Sequence, residues 1–147
     1  AGRRGFTLIE LLVVIGIMGT LVTIMLPNFI GTRQRGKDAR RKLDIEQIRS
    51  ALEQYRSVVG AYPVSINTSC ATNASITYTV SGVTTTFLSR IPHDPGCNTY
   101  RYYYSRLSAN DYTVCAYLEA TTPDIDIAPP SCSGENCNYC LGQYGNK

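Results

Sequence analysis

Hydrophobic positions along this chain follow three different periods, and each predicts a different element. From Phe6 to Ile30 they run almost unbroken for 25 residues, with Glu10 as the single charge. Leu8 to Leu26 is long enough to cross a bilayer as a helix, since roughly 20 residues at about 1.5 Å each match the ~30 Å hydrocarbon core. Further on, Ile45, Ile48, Leu52, Tyr55 and Val59 recur at spacings of 3, 4, 3 and 4 with charges between them, the pattern of a helix with one apolar stripe. Gly60-Ala61-Tyr62-Pro63 then stops the helix. A continuous helix from Thr7 to about Arg56 would be roughly 75 Å long.

Beyond residue 60 the composition turns to Thr, Val, Tyr, Ser and Asn, which suits strands and turns. Strands are predicted at Ile76 to Val80, Thr84 to Leu88, Tyr100 to Ser105 and Tyr112 to Leu118, with turns at Ser81-Gly82, Pro92 to Gly96 and Ser108 to Asp111. The first two strands suit one hairpin and the last two a second. Packing this antiparallel sheet on the 45–59 stripe gives an α+β fold, a long N-terminal helix on a small sheet. Pro27 closes the apolar run, with Gly16, Gly19 and Gly31 around it. A proline inside a helix removes a hydrogen bond and crowds the preceding turn, so a kink or unwinding is expected at residues 23–28, involving Pro27 and Gly19. The alternative is an ordinary helix end at Leu26.

Charge sharpens the division. The net +3 is distributed as +2 over residues 1–5, −1 over 6–32, +4 over 33–56 and −2 over 57–147. Arg3 and Arg4 before the apolar run orient it with its C-terminal side outward. The run is longer than a secretory signal core, and no small-x-small cleavage site follows it. A twin-arginine export signal would have no use for Glu10 inside its core. The segment therefore argues against a free cytosolic enzyme. The basic cluster Arg33, Arg35, Lys37, Arg40, Arg41 and Lys42 is expected just outside the membrane or facing neighbouring subunits. Without aromatic interleaving it does not point to nucleic acid as a partner.

A carboxylate within a span carries an insertion penalty of about 2.5 to 3.5 kcal/mol at the centre, so Glu10 needs a partner, a function or a place at headgroup depth. The run Arg3-Arg4-Gly5-Phe6-Thr7-Leu8-Ile9-Glu10-Leu11-Leu12-Val13-Val14-Ile15 resembles the signal of type IV pilins and the related pseudopilins. The resemblance implies a leader, residues 1–5, cut by a prepilin peptidase between Gly5 and Phe6. It also implies N-methylation of Phe6 and pairing of Glu10 with the Phe6 amine of a neighbouring subunit. Family members commonly have a proline where Pro27 stands. Two opposite charges meeting in a filament core offset much of each other's desolvation, whereas either alone is costly. Since residues 1–5 are present and Ala1 stands first, the chain reads as an unprocessed or partly trimmed precursor. It divides into the leader, a filament-core helix at 6–30, an amphipathic helix at 31–59 and a β domain at 60–147 with a Cys-rich C-terminal loop.

Ile91-Pro92-His93-Asp94-Pro95 followed by Tyr100-Arg101-Tyr102-Tyr103-Tyr104 and the strand ending Leu118-Glu119 is similar in order to the core of major pseudopilins and small pilins. It departs from the pseudopilin pattern in lacking Trp after the turn. Pseudopilins of this type often bind calcium in a C-terminal loop, where this chain has Asp124 and Asp126. Two carboxylates fall short of the six to eight oxygens that calcium takes, so solvated acids are the first reading and no cofactor is expected.

Cys70, Cys97, Cys115, Cys132, Cys137 and Cys140 all follow the apolar segment, which favours disulfides in an oxidising compartment, with 15 pairings open. Zinc ligation by the last three would have only His93 to complete it, and Cys137-Asn138-Tyr139-Cys140 lacks the βαβ setting of a redox motif. Residues 31–38 nearly spell a phosphate loop but place Asp38 where Mg²⁺ ligation needs Ser or Thr. Asn67-Thr68-Ser69 and Asn73-Ala74-Ser75 match glycosylation sequons.

No nucleophile–base–acid set supports an enzyme. The sequence therefore reads first as a pilin, the structural subunit of a type IV filament. It would be stored in the inner membrane among lipid, released by prepilin peptidase and polymerised with itself through an assembly platform into an extracellular pilus. The alternative is a major pseudopilin of a type II secretion system with a periplasmic pseudopilus. A second alternative is a bitopic membrane protein with an exported binding domain.

Overall fold

The computed structural model describes residues 5–120 and 130–146, without the side chains of 26–30 and 146. One helix, α1 (Leu8–Val59), runs without a break through Gly19 and Pro27, so the helix does not end at Leu26. Pro27 has no N–H to offer the carbonyl one turn back. At the N-terminus Thr7 is the cap. Its hydroxyl accepts from the Glu10 N–H at 3.4 Å, while the Glu10 carboxylate accepts from the Thr7 N–H at 2.9 Å, a reciprocal capping box. At the other end Gly60 takes a left-handed conformation (φ 83°) and its N–H returns to the Arg56 carbonyl at 2.8 Å, which Gly does without a Cβ clash.

The strands are β1 (Ile76–Val80), β2 (Val83–Leu88), β3 (Tyr103–Ser108), β4 (Asp111–Ala116), β5 (Tyr139–Gly142) and β6 (Gly145–Asn146). They form two sheets where a single sheet was expected: a two-stranded β1-β2 hairpin and a four-stranded antiparallel sheet in the order β3-β4-β5-β6. The β1-β2 turn has both central residues, Ser81 and Gly82, at positive φ, the turn whose twist matches a tight hairpin. β3 starts at Tyr103 instead of Tyr100, because the Thr99 and Tyr100 N–H groups fold back on the Gly96 carbonyl and Arg101 donates to Cys132. β4 ends at Ala116 instead of Leu118. There the Asn138 side chain takes over the Leu118 backbone, accepting from its N–H at 2.6 Å and donating to its carbonyl at 2.8 Å.

The core lies between the C-terminal half of α1 and the two sheets. Ile45, Ile48, Ala51 and Leu52 are buried against Tyr62, Ile91, Tyr102, Tyr112, Val114 and Leu141. Tyr55 extends the stripe onto the hairpin, meeting Tyr78 and Phe87 edge-on at 5.9 and 5.4 Å. All six cysteines are paired, as Cys70–Cys97, Cys115–Cys140 and Cys132–Cys137. The last two pairs pack on each other as a second small core, with Tyr103 and Tyr117 against them.

Candidate assembly surface

The N-terminal half of α1 is an unpartnered apolar rod. Leu8–Met25 is long and apolar enough to cross a membrane, and none of it is buried by the rest of the chain. Its few polar groups are satisfied within the helix: the Thr20 hydroxyl donates to the Ile17 carbonyl and Thr23 to Gly19, each at 2.8 Å. The two hydroxyls thus present no unpaired donor, as a lipid or dry filament core requires. Gly16 and Gly19 face open space, which leaves close approach to another helix available. Phe6 is 90% exposed directly before the cap. The Glu10 carboxylate also accepts the Thr7 hydroxyl at 2.8 Å, so in this chain, with the Gly5–Phe6 bond intact, it is held at the start of its own helix. Gly5, Phe6, Thr7 and Glu10 therefore lie together, while Pro27 and Gly19 sit farther along the same rod.

The C-terminal half is joined to the domain by charges that the sequence reading placed outside. Arg41 is fully buried and does not face solvent or neighbours. Its Nε and Nη2 donate to the two oxygens of Asp94 at 2.7 and 3.0 Å, Nη1 donates to Asp38 at 2.8 Å, and Nη2 also donates to Glu119 at 2.8 Å. Burial by itself would pull the guanidinium down, but Asp94, Glu119 and Asp38 outweigh it and hold Arg41 above its ordinary value. Asp38 accepts in addition from the backbone N–H groups of Glu119 and Ala120 at 2.9 and 2.8 Å. Asp94 accepts from Gly96 at 2.6 Å. A Cβ on Gly96 would lie 3.2 Å from the Asp94 carboxylate and the Tyr100 ring, so the turn packs closely over Arg41 and a side chain there would press on both. The cluster clamps α1 to the 91–96 turn and to the end of the sheet, which positions the domain on the rod.

Tyrosines make the second set of ties. Tyr102 donates to Asp44 at 2.7 Å, Tyr62 and Tyr112 both donate to Glu53, and Tyr104 donates to the Pro63 carbonyl at 2.6 Å. Alternation explains which tyrosines face the helix, while their hydroxyls explain why two carboxylates sit beside the apolar stripe. Burial pushes Asp44 up from the usual carboxylate value, against the pull of Tyr102 and Arg40. Burial likewise raises Tyr104, to about 12.

Sequence reasoning missed Asp38, Asp44, Arg41, Glu53 and Asn138 as structural ties. A signal for two of them was present: Asp38 and Arg41 continue the 3-and-4 spacing of Ile45, Ile48 and Leu52 backward, so the helical period placed them on the inner face. Strand β5 was missed because its four residues include Gly142 and Cys140. Asn67 and Asn73 are exposed in the loop between α1 and β1. Asp124 and Asp126 lie outside the described residues.

Residues 1–26 match the prokaryotic N-terminal methylation motif, and residues 28–123 match the family described as type II secretion system (T2SS), protein G. The chain is 30% identical over 106 residues to the type II secretion system core protein G of Aeromonas hydrophila, covering 67% of this chain and 71% of that protein. It is 29% identical over 106 residues to the core protein G of Vibrio cholerae, covering 68% and 70%. A type IV major pilin protein, PilA of Myxococcus xanthus, is 39% identical over 60 residues, which cover 41% of this chain and 27% of that pilin. No solved structure matches it.

Proposed function

The chain belongs to the type II secretion system protein G family, and on that basis we propose that it is the major pseudopilin subunit of a type II secretion system. The extracellular pilus that stood first on sequence alone gives way to this alternative. The observation that carries the reading is the match of residues 28–123 to protein G, against a pilin likeness that reaches over only 27% of the pilin. The subunit is structural and not catalytic. A precursor with a prepilin signal and the uncovered Leu8–Met25 helix waits in the inner membrane.

Prepilin peptidase cuts between Gly5 and Phe6, the new Phe6 amine is methylated, and the apolar rods pack on one another to build a periplasmic pseudopilus on an inner-membrane platform. Removal of the leader places a cation one residue before Thr7. Its charge then meets the Glu10 carboxylate of a neighbouring copy, which replaces the lipid around the rod with other rods at little net desolvation cost.

The test is to isolate the protein from its host and read its N-terminus by mass spectrometry, and to follow secretion in a strain lacking it. The expected results are an N-methylated Phe6 terminus and loss of an exported enzyme from the medium, restored by the wild-type chain. An intact leader on functional protein, or unchanged secretion with loss of surface pili, overturns the reading.

A further inference from the structure

We infer that one copy of this chain grips the next through a carboxylate seated in a basic notch: Glu135 of one subunit between Arg40 and Arg90 of its neighbour. This rests on the filament reading above, and it concerns the outer domains, away from the apolar rods.

The notch lies where α1 meets the segment after β2. Arg40, Asp44, Gln47, Arg90, Pro92 and His93 surround a cavity of about 370 Å³. Arg40 and Arg90 are both exposed, and among the described residues neither makes an ion pair or a side-chain hydrogen bond, Arg40 only attracting Asp44 from a distance. Asp44 forms part of the lining, but one of its oxygens takes the Tyr102 hydroxyl at 2.7 Å. The lining therefore carries two guanidiniums against one carboxylate before His93 is counted. Such a site favours an incoming anion, and paired arginines favour a planar carboxylate or a phosphate.

Arg40 lies ten residues past Ile30, where the apolar run ends, roughly 15 Å along α1 at ~1.5 Å per residue, so salt weakens the pull of a lipid phosphate on the notch.

Among the described residues the carboxylates are nearly all engaged within the chain. Glu10 caps α1, Asp38, Asp94 and Glu119 hold Arg41, Asp44 and Glu53 hold tyrosines, Glu46 holds Arg49, and Asp111 has a partner. Glu135 is the exception: its side chain makes no such contact, and it is exposed. It stands at the tip of a loop closed by Cys132–Cys137. The Cys132 N–H binds the Glu135 carbonyl at 2.8 Å, the Cys137 N–H binds Pro130 at 2.9 Å, and Ser131 bridges to Asn136. A carboxylate on so stiff a tip loses little conformational freedom on docking. It also lies beyond residue 123, where the match to protein G ends, so this contact would be particular to chains that carry the disulfide-closed tail. Since Glu135 does not line its own chain's notch, the occupant is the carboxylate of a second copy.

The test uses the full-length chain assembled in membranes, with pseudopili sheared, weighed and imaged by electron microscopy. Glu135→Arg alone and Arg90→Glu alone are expected to lower filament yield by about tenfold, as like charges meet in the contact, and the two together to restore most of it. A second variant avoids charge reversal: in Arg90→Lys filaments made from mixed isotope-labelled and unlabelled chains, carbodiimide should join Glu135 to the introduced amine at position 90 across two copies. Normal yield from Glu135→Arg, no restoration by the double reversal, or a cross-link confined to one chain overturns the pairing while wild-type filaments leave the pseudopilin reading standing. Absence of filaments from the wild-type chain overturns both.

Discussion

The two halves of α1 share one helix and one chain yet solve opposite problems. Residues 8–25 are apolar on every side and touch nothing else in the molecule, whereas the half from Asp38 to Leu52 buries a narrow stripe against two sheets and joins it with ion pairs. An all-round apolar helix finds its partners in lipid or in copies of itself, and an amphipathic one finds them in its own domain. The contrast separates stability from assembly along a single element. Substitutions in the C-terminal half should unfold the domain, and those in the N-terminal half should leave it folded and damage the filament.

The strongest challenge to that separation is Arg41→Ala, which leaves Asp38, Asp94 and Glu119 with no guanidinium between them. A loss of about 3–5 kcal/mol is expected from breaking a buried ion cluster, read by chemical denaturation of the detergent-solubilised chain. A change below 1 kcal/mol would show that the clamp is dispensable. Ile48→Ala, in the middle of the stripe, should cost about 2–5 kcal/mol through lost burial and a residual cavity, with the same readout.

Replacing Cys115 and Cys140 by Ser should remove about 2–4 kcal/mol, since that bond closes a separation of 25 residues and ties β4 to β5. If the denaturation midpoint is unchanged, the neighbouring Cys132–Cys137 pair alone holds the tail.

High pH should loosen the packed half selectively. Burial raises Tyr62, Tyr102, Tyr104 and Tyr112 above their ordinary value, Tyr104 to about 12. A raised folded value means the contribution of Tyr104 is complete below pH 10 and fades as pH rises through about 12. Phenolate absorbance and loss of sheet signal should therefore rise together in that window. Ionisation of these four tyrosines near pH 10 without unfolding would contradict their burial. The smallest effect on stability is expected from Glu10→Val: within about 0.5 kcal/mol for the domain, with membrane insertion kept and filament assembly impaired. Normal filaments from that variant would remove the charge-pairing role of Glu10.

How much could be read beforehand follows the same division. The rod, the stripe from Ile45, the Gly60 stop and the β1-β2 hairpin all depend on neighbours in sequence: a hydrophobic period, a left-handed cap and a two-residue turn. The limits of β3 and β4 were misplaced because distant groups decide them, Cys132 receiving Arg101 and Asn138 capturing Leu118. Arg41 was assigned to the surface because charge content was weighed above helical phase, although the spacing from Ile45 already placed it inside.

By itself the sequence determined a membrane-length helix with one interrupting carboxylate, an amphipathic continuation and paired cysteines in an exported domain, since each of these is written in local period or composition. Tertiary structure alone decided that the strands divide into two sheets, which of the 15 pairings the cysteines take, and which carboxylates meet Arg41 on the inner face of α1. The reason is physical: a charge is buried only where several partners converge on it, and here those partners come from Asp38, Asp94 and Glu119, which only the folded chain brings together.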